Sequence, residues 1–278
     1  MSIDLGLSRD SSKNNSRNPT PSLNAVDAAE LEQRLNMLAK DSPKPAIGAI
    51  NDVITNEIVS IVEATRRGLI DPLTEQRLFE AQAATGGIIL HTNGKRLSPN
   101  DAAGARYLNA CLLSALNEAY KSWTGFPDRR SGRRNSLSIA EALKAGVGSY
   151  ETMTRLLETQ VVLGGIVDVE TKTQITLYDA VERGWVDPRK AERLADFSRH
   201  SRQITNPVTN MNATYAELLQ NTLIDEKTGV CVLNAYPRKQ RNLKLESGLN
   251  VLAASLPSSR ASSRGASPTR RTFEMGTF

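Results

Sequence analysis

The sequence predicts an α+β fold: tandem units, each a β-hairpin plus two antiparallel helices, packed into one globular module. Three observations predict it. A helix-opening pattern recurs at a nearly constant step, paired helical stretches follow each copy, and glycines end those helices just before hairpin-like segments. The opening pattern is Ser/Thr-x-x-Glu/Asp, found at Ser60/Glu63, Ser98/Asp101, Ser138/Glu141, Thr176/Asp179 and Thr214/Glu217. Its acidic members step by 38, 40, 38 and 38 residues. The chemistry is a capping box: the hydroxyl accepts from the backbone N–H three residues on, and the carboxylate reaches back. Pro99 fits a first helical position, where its missing N–H costs nothing.

The context around each box repeats as well. The stretches 63–71 (EATRRGLID), 141–149 (EALKAGVGS) and 179–187 (DAVERGWVD) align without gaps, and 101–109 and 217–225 align more loosely. Asp71-Pro72 and Asp187-Pro188 read as an N-cap followed by a first-turn proline. Second helices are therefore expected over 73–85, 151–163 and 189–201, with Leu and Ala at three- and four-residue intervals. Gly86-Gly87, Gly125 and Gly164-Gly165 lie just past helices of this kind and stop them, because glycine takes a left-handed conformation at least cost. Extended segments follow, with Asn93-Gly94 as a turn signal. A unit this small cannot bury its own apolar face, so neighbours must lean on each other. Spacing gives about four and a half units across 46–241, the first and last incomplete. Before them, residues 1–45 form a flexible segment whose patch 27–38 places Leu31, Leu35 and Leu38 on one helical face. That patch is either a helix docked on the first unit or a remnant of a coiled coil. Residues 242–278 read as a disordered Ser/Arg-rich tail.

Composition narrows the function. Residues 46–241 carry 24 basic and 22 acidic side chains, a balance of +2, and residues 242–278 carry five and two. This is far from the charge of a dedicated nucleic-acid binder, and aromatics, at 5%, are too few for a base-stacking platform. No apolar run approaches the roughly 18 residues that span a bilayer. Cys111 and Cys231 stand far apart, which argues against a disulfide framework or a zinc site and fits a reducing cytoplasm. Two histidines, His91 in a turn and His200 at a helix end, are expected at the surface. No phosphate loop, nucleophile elbow or metalloprotease motif is present, so neither catalysis nor a cofactor or metal is expected.

The phrases RLFEAQAATGGII, RLLETQVVLGGIVD, EALKAG and DAVERGWVD closely resemble the plakin repeat of the cytoskeletal linkers, over about 70% of the chain. The second unit departs with GARYLN, and the fourth replaces the double glycine with HSRQITNPVTNMN. The resemblance implies a non-enzymatic module that binds intermediate-filament proteins at desmosome- or hemidesmosome-like junctions, in the cytoplasm and cytoskeleton. The absence of actin-binding and long coiled-coil segments makes a fragment or short isoform of a longer linker the expectation.

Charge patterning supplies candidate contacts. Arg129, Arg130, Arg133 and Arg134 crowd the second unit's hairpin, with Lys121 and Lys144 nearby in sequence. A second cluster is Arg183, Arg189, Lys190, Arg193, Arg199 and Arg202. Stacked units would set both clusters along one basic groove, whose guanidinium forks match the carboxylates of an acidic helical rod. The competing reading is a solvated face paired with Glu192, Asp196 and Asp128. In the tail, Arg260, Arg264, Arg270 and Arg271 have no acidic residue among them and could meet acidic filament surfaces or tubulin tails. Phosphorylation of Ser263 or Ser267 would cancel that charge. A nucleic-acid-binding repeat protein is the least favoured reading.

Overall fold

The computed structural model describes residues 25–38, 44–128 and 136–237. Arg129, Arg130, Arg133 and Arg134 lie outside them, as do the tail residues Arg260, Ser263, Arg264, Ser267, Arg270 and Arg271.

The described elements alternate as the sequence anticipates. Strands β1 (Ile47–Asp52) and β2 (Glu57–Val59) form a hairpin, followed by short α2 (Ile61–Arg66) and longer α3 (Pro72–Ala84). Next come β3 (Ile88–Ile89), β4 (Arg96–Leu97), α4 (Pro99–Gly104) and, after a turn of 3₁₀ helix, α5 (Leu113–Thr124). The third set is β5 (Phe126–Pro127), β6 (Ser136–Leu137), α6 (Ile139–Lys144) and α7 (Tyr150–Val162). The fourth is β7 (Ile166–Asp168), β8 (Thr173–Ile175), α8 (Leu177–Glu182) and α9 (Pro188–Ala195). A fifth set stops after β9 (Ile204–Thr205), β10 (Asn212–Ala213) and α10 (Tyr215–Leu219), and β11 (Thr222–Ile224) and β12 (Cys231–Ala235) close the described chain. The first set is thus complete, contrary to the expectation that it would be a partial unit.

The predicted caps are the framework of this alternation. At Ser60, Ser98, Ser138, Thr176 and Thr214 the side-chain hydroxyl accepts from the backbone N–H three residues on. The reciprocal half forms at Ser138, Thr176 and Thr214 only. At Ser60 the partner carboxylate, Glu63, is taken by Arg66 and Arg67 instead. At Ser98 the Asp101 carboxylate accepts from the serine hydroxyl itself, at 2.7 Å. Asp71 and Asp187 cap α3 and α9 as expected. Helix α9 nevertheless ends at Ala195, well short of residue 201. Asp196 leaves helical geometry at ψ 88° and caps the single 3₁₀ turn Phe197–Arg199.

The second glycine of each pair does more than end a helix. Gly165 sits at φ 134°, and a Cβ there would lie 2.2 Å from the Ile175 carbonyl oxygen. Gly87 is the same case against Leu97, at 2.4 Å. The backbone of each hairpin passes over the helix stop too closely for any side chain.

The hairpins of the middle sets are isolated two-stranded ladders, β3–β4, β5–β6, β7–β8 and β9–β10. The ends behave differently. β1 pairs in parallel with β12, giving a four-stranded sheet in the order β11-β12-β1-β2. One large apolar cluster runs beneath, from Ile47 and Ile50 through Leu78, Leu116, Leu156 and Ile166 to Leu218 and Leu233, all essentially without exposure.

Two expectations are corrected. The N-terminal patch is helix α1 (Ala25–Leu38), but it packs on α8 and α9 rather than on the first unit. Leu31 and Leu35 are buried there, and Arg34 pairs with Glu192 at 3.0 Å. The two leucines join the apolar cluster that also holds Leu177, Val181 and Leu194 of those helices, which gives the face of α1 its cover. His200 is buried, not at the surface. After α9 the chain folds back, so that its Nε2 meets the Leu194 carbonyl at 2.8 Å and its ring lies 5.3 Å from that of Phe197.

Candidate functional site: a groove floored by buried arginines

Helices α3, α5 and α7 and the base of the β5–β6 hairpin enclose an open groove of about 920 Å³. Its floor is a buried polar cluster. Glu80 of α3, 4% exposed, accepts from Arg77 Nη1 at 2.9 Å and from Arg155 Nη2 of α7 at 2.8 Å. Gln76 Nε2 donates to the same carboxylate at 2.8 Å. Both arginines also reach the side-chain oxygen of Gln203, and Gln203 Nε2 donates to Glu151 at the rim. The Nε–H groups of Arg77 and Arg155 are buried and make no hydrogen bond among the described residues. A carboxylate held between two guanidiniums is a strong local lock, because removing one partner strands charge out of water.

The walls carry both signs. Lys121 and Glu118 of α5 form an ion pair, and Asp128 and Glu151 complete the charged lining. Apolar contact comes from Phe126, Leu137, Val147 and Met153. Of the expected basic contacts, Lys121 alone among the described residues lines this groove. Asp128 and Leu137 of the β5–β6 pair line its edge; Arg129, Arg130, Arg133 and Arg134 lie outside the described residues.

The second basic cluster is elsewhere. Lys144, at the end of α6, donates to the Gly184 carbonyl at 2.9 Å and so ties the third set to the fourth. Arg183 pairs with Asp168 at 2.8 Å and stacks 5.3 Å from the Trp185 ring. That pairing and two backbone amides hold the Asp168 carboxyl below the usual carboxylate range, against the opposing effect of burial. Arg199 pairs with Asp196, and Arg202 with Glu217. Burial pushes the Lys190 ammonium down despite Asp187 beside it. Arg189 and Arg193 are exposed on α9 and make no ion pair among the described residues. Lys144 and Arg183 therefore adjoin each other, while Arg202 is held on the fifth set. Glu192 and Asp196 do pair with arginines, as the solvated-face reading has it, although Glu192 takes Arg34 of α1.

Sequence reasoning missed two buried glutamines that brace the body from within. Gln82 and Gln160, both fully buried, occupy the same place in α3 and α7. Each side-chain oxygen accepts from the backbone N–H seven residues on, Ile89 and Val167 respectively. Each amide nitrogen then donates across the body: Gln82 to the Ile47 carbonyl at 2.7 Å, Gln160 to the Ala84 and Ser122 carbonyls at 2.7 and 3.2 Å. The signal was a long polar side chain recurring inside an apolar phrase.

No helix among the described residues is long and apolar enough to cross a membrane, and none of their side chains cluster as a metal site. Comparison with known proteins bears on the same phrase. The plectin repeat model matches residues 78–113 and 156–194, segments that begin at the equivalent Leu78 and Leu156 and take in the glutamine, the glycine pair, the hairpin and the short helix. Curated relatives include microtubule-actin cross-linking factor 1, isoforms 1/2/3/4, of Mus musculus, 26% identical over 224 residues that make up 80% of this chain. The Homo sapiens counterpart, isoforms 1/2/3/4/5, is 24% identical over the same length. The chain spans about 3% of the length of these relatives. With the capped helix pairs and the glycine-stopped ends, these matches identify residues 78–113 and 156–194 as plectin repeats and make the chain similar, over 224 residues, to the microtubule-actin cross-linking factors.

Proposed function

We propose that residues 46–241 are a tandem plakin repeat module, non-enzymatic, that binds intermediate-filament proteins at junctional attachment sites in the cytoplasm. The observation that carries this reading is the open groove between α3, α5 and α7, bordered by β5 and β6, between which the sequence carries four arginines. An acidic helical rod offers rows of carboxylates, to which arginine forks donate bidentately. The Glu80 carboxylate of the floor is already taken by Arg77 and Arg155, so that affinity would rest on the rim, with Lys121 and the four arginines of 129–134 as its cations. Binding of this kind is salt-sensitive, because exposed charges are screened within about 8 Å at physiological ionic strength. In co-sedimentation with vimentin-like filaments, doubling the salt should weaken binding several-fold. Changing Arg129, Arg130, Arg133 and Arg134 together to Glu should lower it further while leaving the melting temperature almost unchanged. Salt-independent binding, or a large stability loss in that variant, would overturn the reading.

A second reading is favoured by the names of the relatives, which are microtubule-actin cross-linkers. In it the basic tail, through Arg260, Arg264, Arg270 and Arg271, meets the acidic tails of tubulin. Deleting residues 246–278 should then abolish microtubule co-sedimentation and leave filament binding intact; unchanged microtubule binding would dispose of it.

A further inference from the structure

We infer that β1 and β12 form a shear clasp that makes this body a tension-bearing link. The two strands come from opposite ends of the body and lie parallel, paired from Ile47↔Cys231 to Asp52↔Ala235 with one register shift between Ile47 and Ala49. The chain enters β1 at Ile47 and leaves β12 at Ala235. Load passing along the chain pulls β1 back toward Ile47 and drives β12 forward past Ala235. The strands are drawn in opposite senses along their common axis. Every rung of the ladder is loaded together instead of one after another.

The surroundings reinforce that geometry. Ile47, the first residue of the clasp to feel the load, is bolted twice: its N–H donates to the Tyr215 hydroxyl at 3.1 Å, and its carbonyl accepts from Gln82 at 2.7 Å. Both bonds are buried. At the far end Val53 N–H donates to the Ala235 carbonyl at 3.1 Å, extending the ladder past β1. Asn51 Nδ2 donates to Asn234 Oδ1 at 2.9 Å, a side-chain rung across the same pair. Ile50 and Leu233 are fully buried beneath, and β2 and β11 cover the two outer edges of the pair. No other strand pair among the described residues joins the body's two ends; the remaining ladders are hairpins, local in sequence.

Single-molecule pulling tests this on the full chain. With handles at the two termini the clasp is sheared. With one handle at Asn56→Cys, beyond the end of β1, and the other at the C-terminus, the same clasp is peeled from one end, since both loads then enter beside Ala235. Cys111→Ser removes the exposed thiol, and Cys231 is buried. Rupture of the clasp, which in the sheared geometry follows release of α1 from α8 and α9, should need at least about twofold more force there than in the peeled one, because forced unfolding reports the barrier along the pulled coordinate. Tyr215→Phe, which deletes the acceptor for the Ile47 N–H, should lower the sheared force and leave the peeled force unchanged. Equal forces in the two geometries, or a Tyr215→Phe effect confined to the peeled one, would overturn the inference.

Discussion

Helices α3 and α7 carry the same residues 78 positions apart, Arg77/Arg155, Glu80/Glu158 and Gln82/Gln160, and use them differently. Gln82 ties its helix to the terminal sheet through Ile47, whereas Gln160 ties its helix to two helix ends of the preceding sets through Ala84 and Ser122. Glu80 gathers both arginines, its own Arg77 and Arg155 from the other helix. Glu158 is left without either and accepts instead from the backbone and hydroxyl of Ser201. A repeated residue thus keeps its local task, accepting from the strand that follows, and hands its remaining bonding capacity to whatever the fold places before it.

The contrast between the two glutamates should be the largest effect. Glu80→Ala leaves two buried guanidiniums uncompensated and should cost about 3–5 kcal/mol. Glu158→Ala removes two hydrogen bonds at a half-buried site and should cost about 1–2 kcal/mol. Equal losses in urea denaturation would erase the distinction. The glutamines come next. Gln160→Leu strands the Val167 N–H and two carbonyls, Gln82→Leu one N–H and one carbonyl, and each should cost about 2–4 kcal/mol. Hydrogen exchange separates them: Gln82→Leu should speed exchange in β1, Gln160→Leu at the ends of α3 and α5.

The smallest effect is on pH. Burial holds the His200 imidazole below its ordinary value, opposed by the Leu194 carbonyl and by Glu158 and Asp196. The folded chain therefore binds this proton less readily than the unfolded one, whose pKa is about 6.5. His200 costs no stability above that pH, and stability declines as pH falls below it. His200→Gln should flatten the slope of denaturation midpoint against pH between about 6.5 and 5. An unchanged slope would assign the acid loss to other groups.

Much of the local fold was legible because its determinants are local. Ser60, Ser98, Ser138, Thr176 and Thr214 act within three residues of themselves, and Gly87 and Gly165 within about ten. The partner of Glu63 was misread because Arg66 and Arg67 compete for it, and a pattern does not rank competitors. His200 was misread because the chain turns back after Ala195 and folds the ring against Leu194 and Phe197, where an unbroken helix would have carried it outward. The β1–β12 ladder was invisible altogether: Asn51 and Asn234 are 183 positions apart, and neither strand is marked by periodicity as the other's partner. In the groove, Lys121 was identifiable as a cation, but the Arg77–Glu80–Arg155 floor was not, since the pairing depends on how α3 and α7 lie together.

The sheet order β11-β12-β1-β2 has a consequence for how such a protein can be lengthened. An open solenoid accepts another copy at either tip. Here the first and last strands of the described residues complete each other, so neither tip of the repeat array is vacant. One more hairpin and helix pair would have to prise the seam open. A longer molecule of this kind grows by threading whole closed bodies onto connecting chain, like beads on a cord.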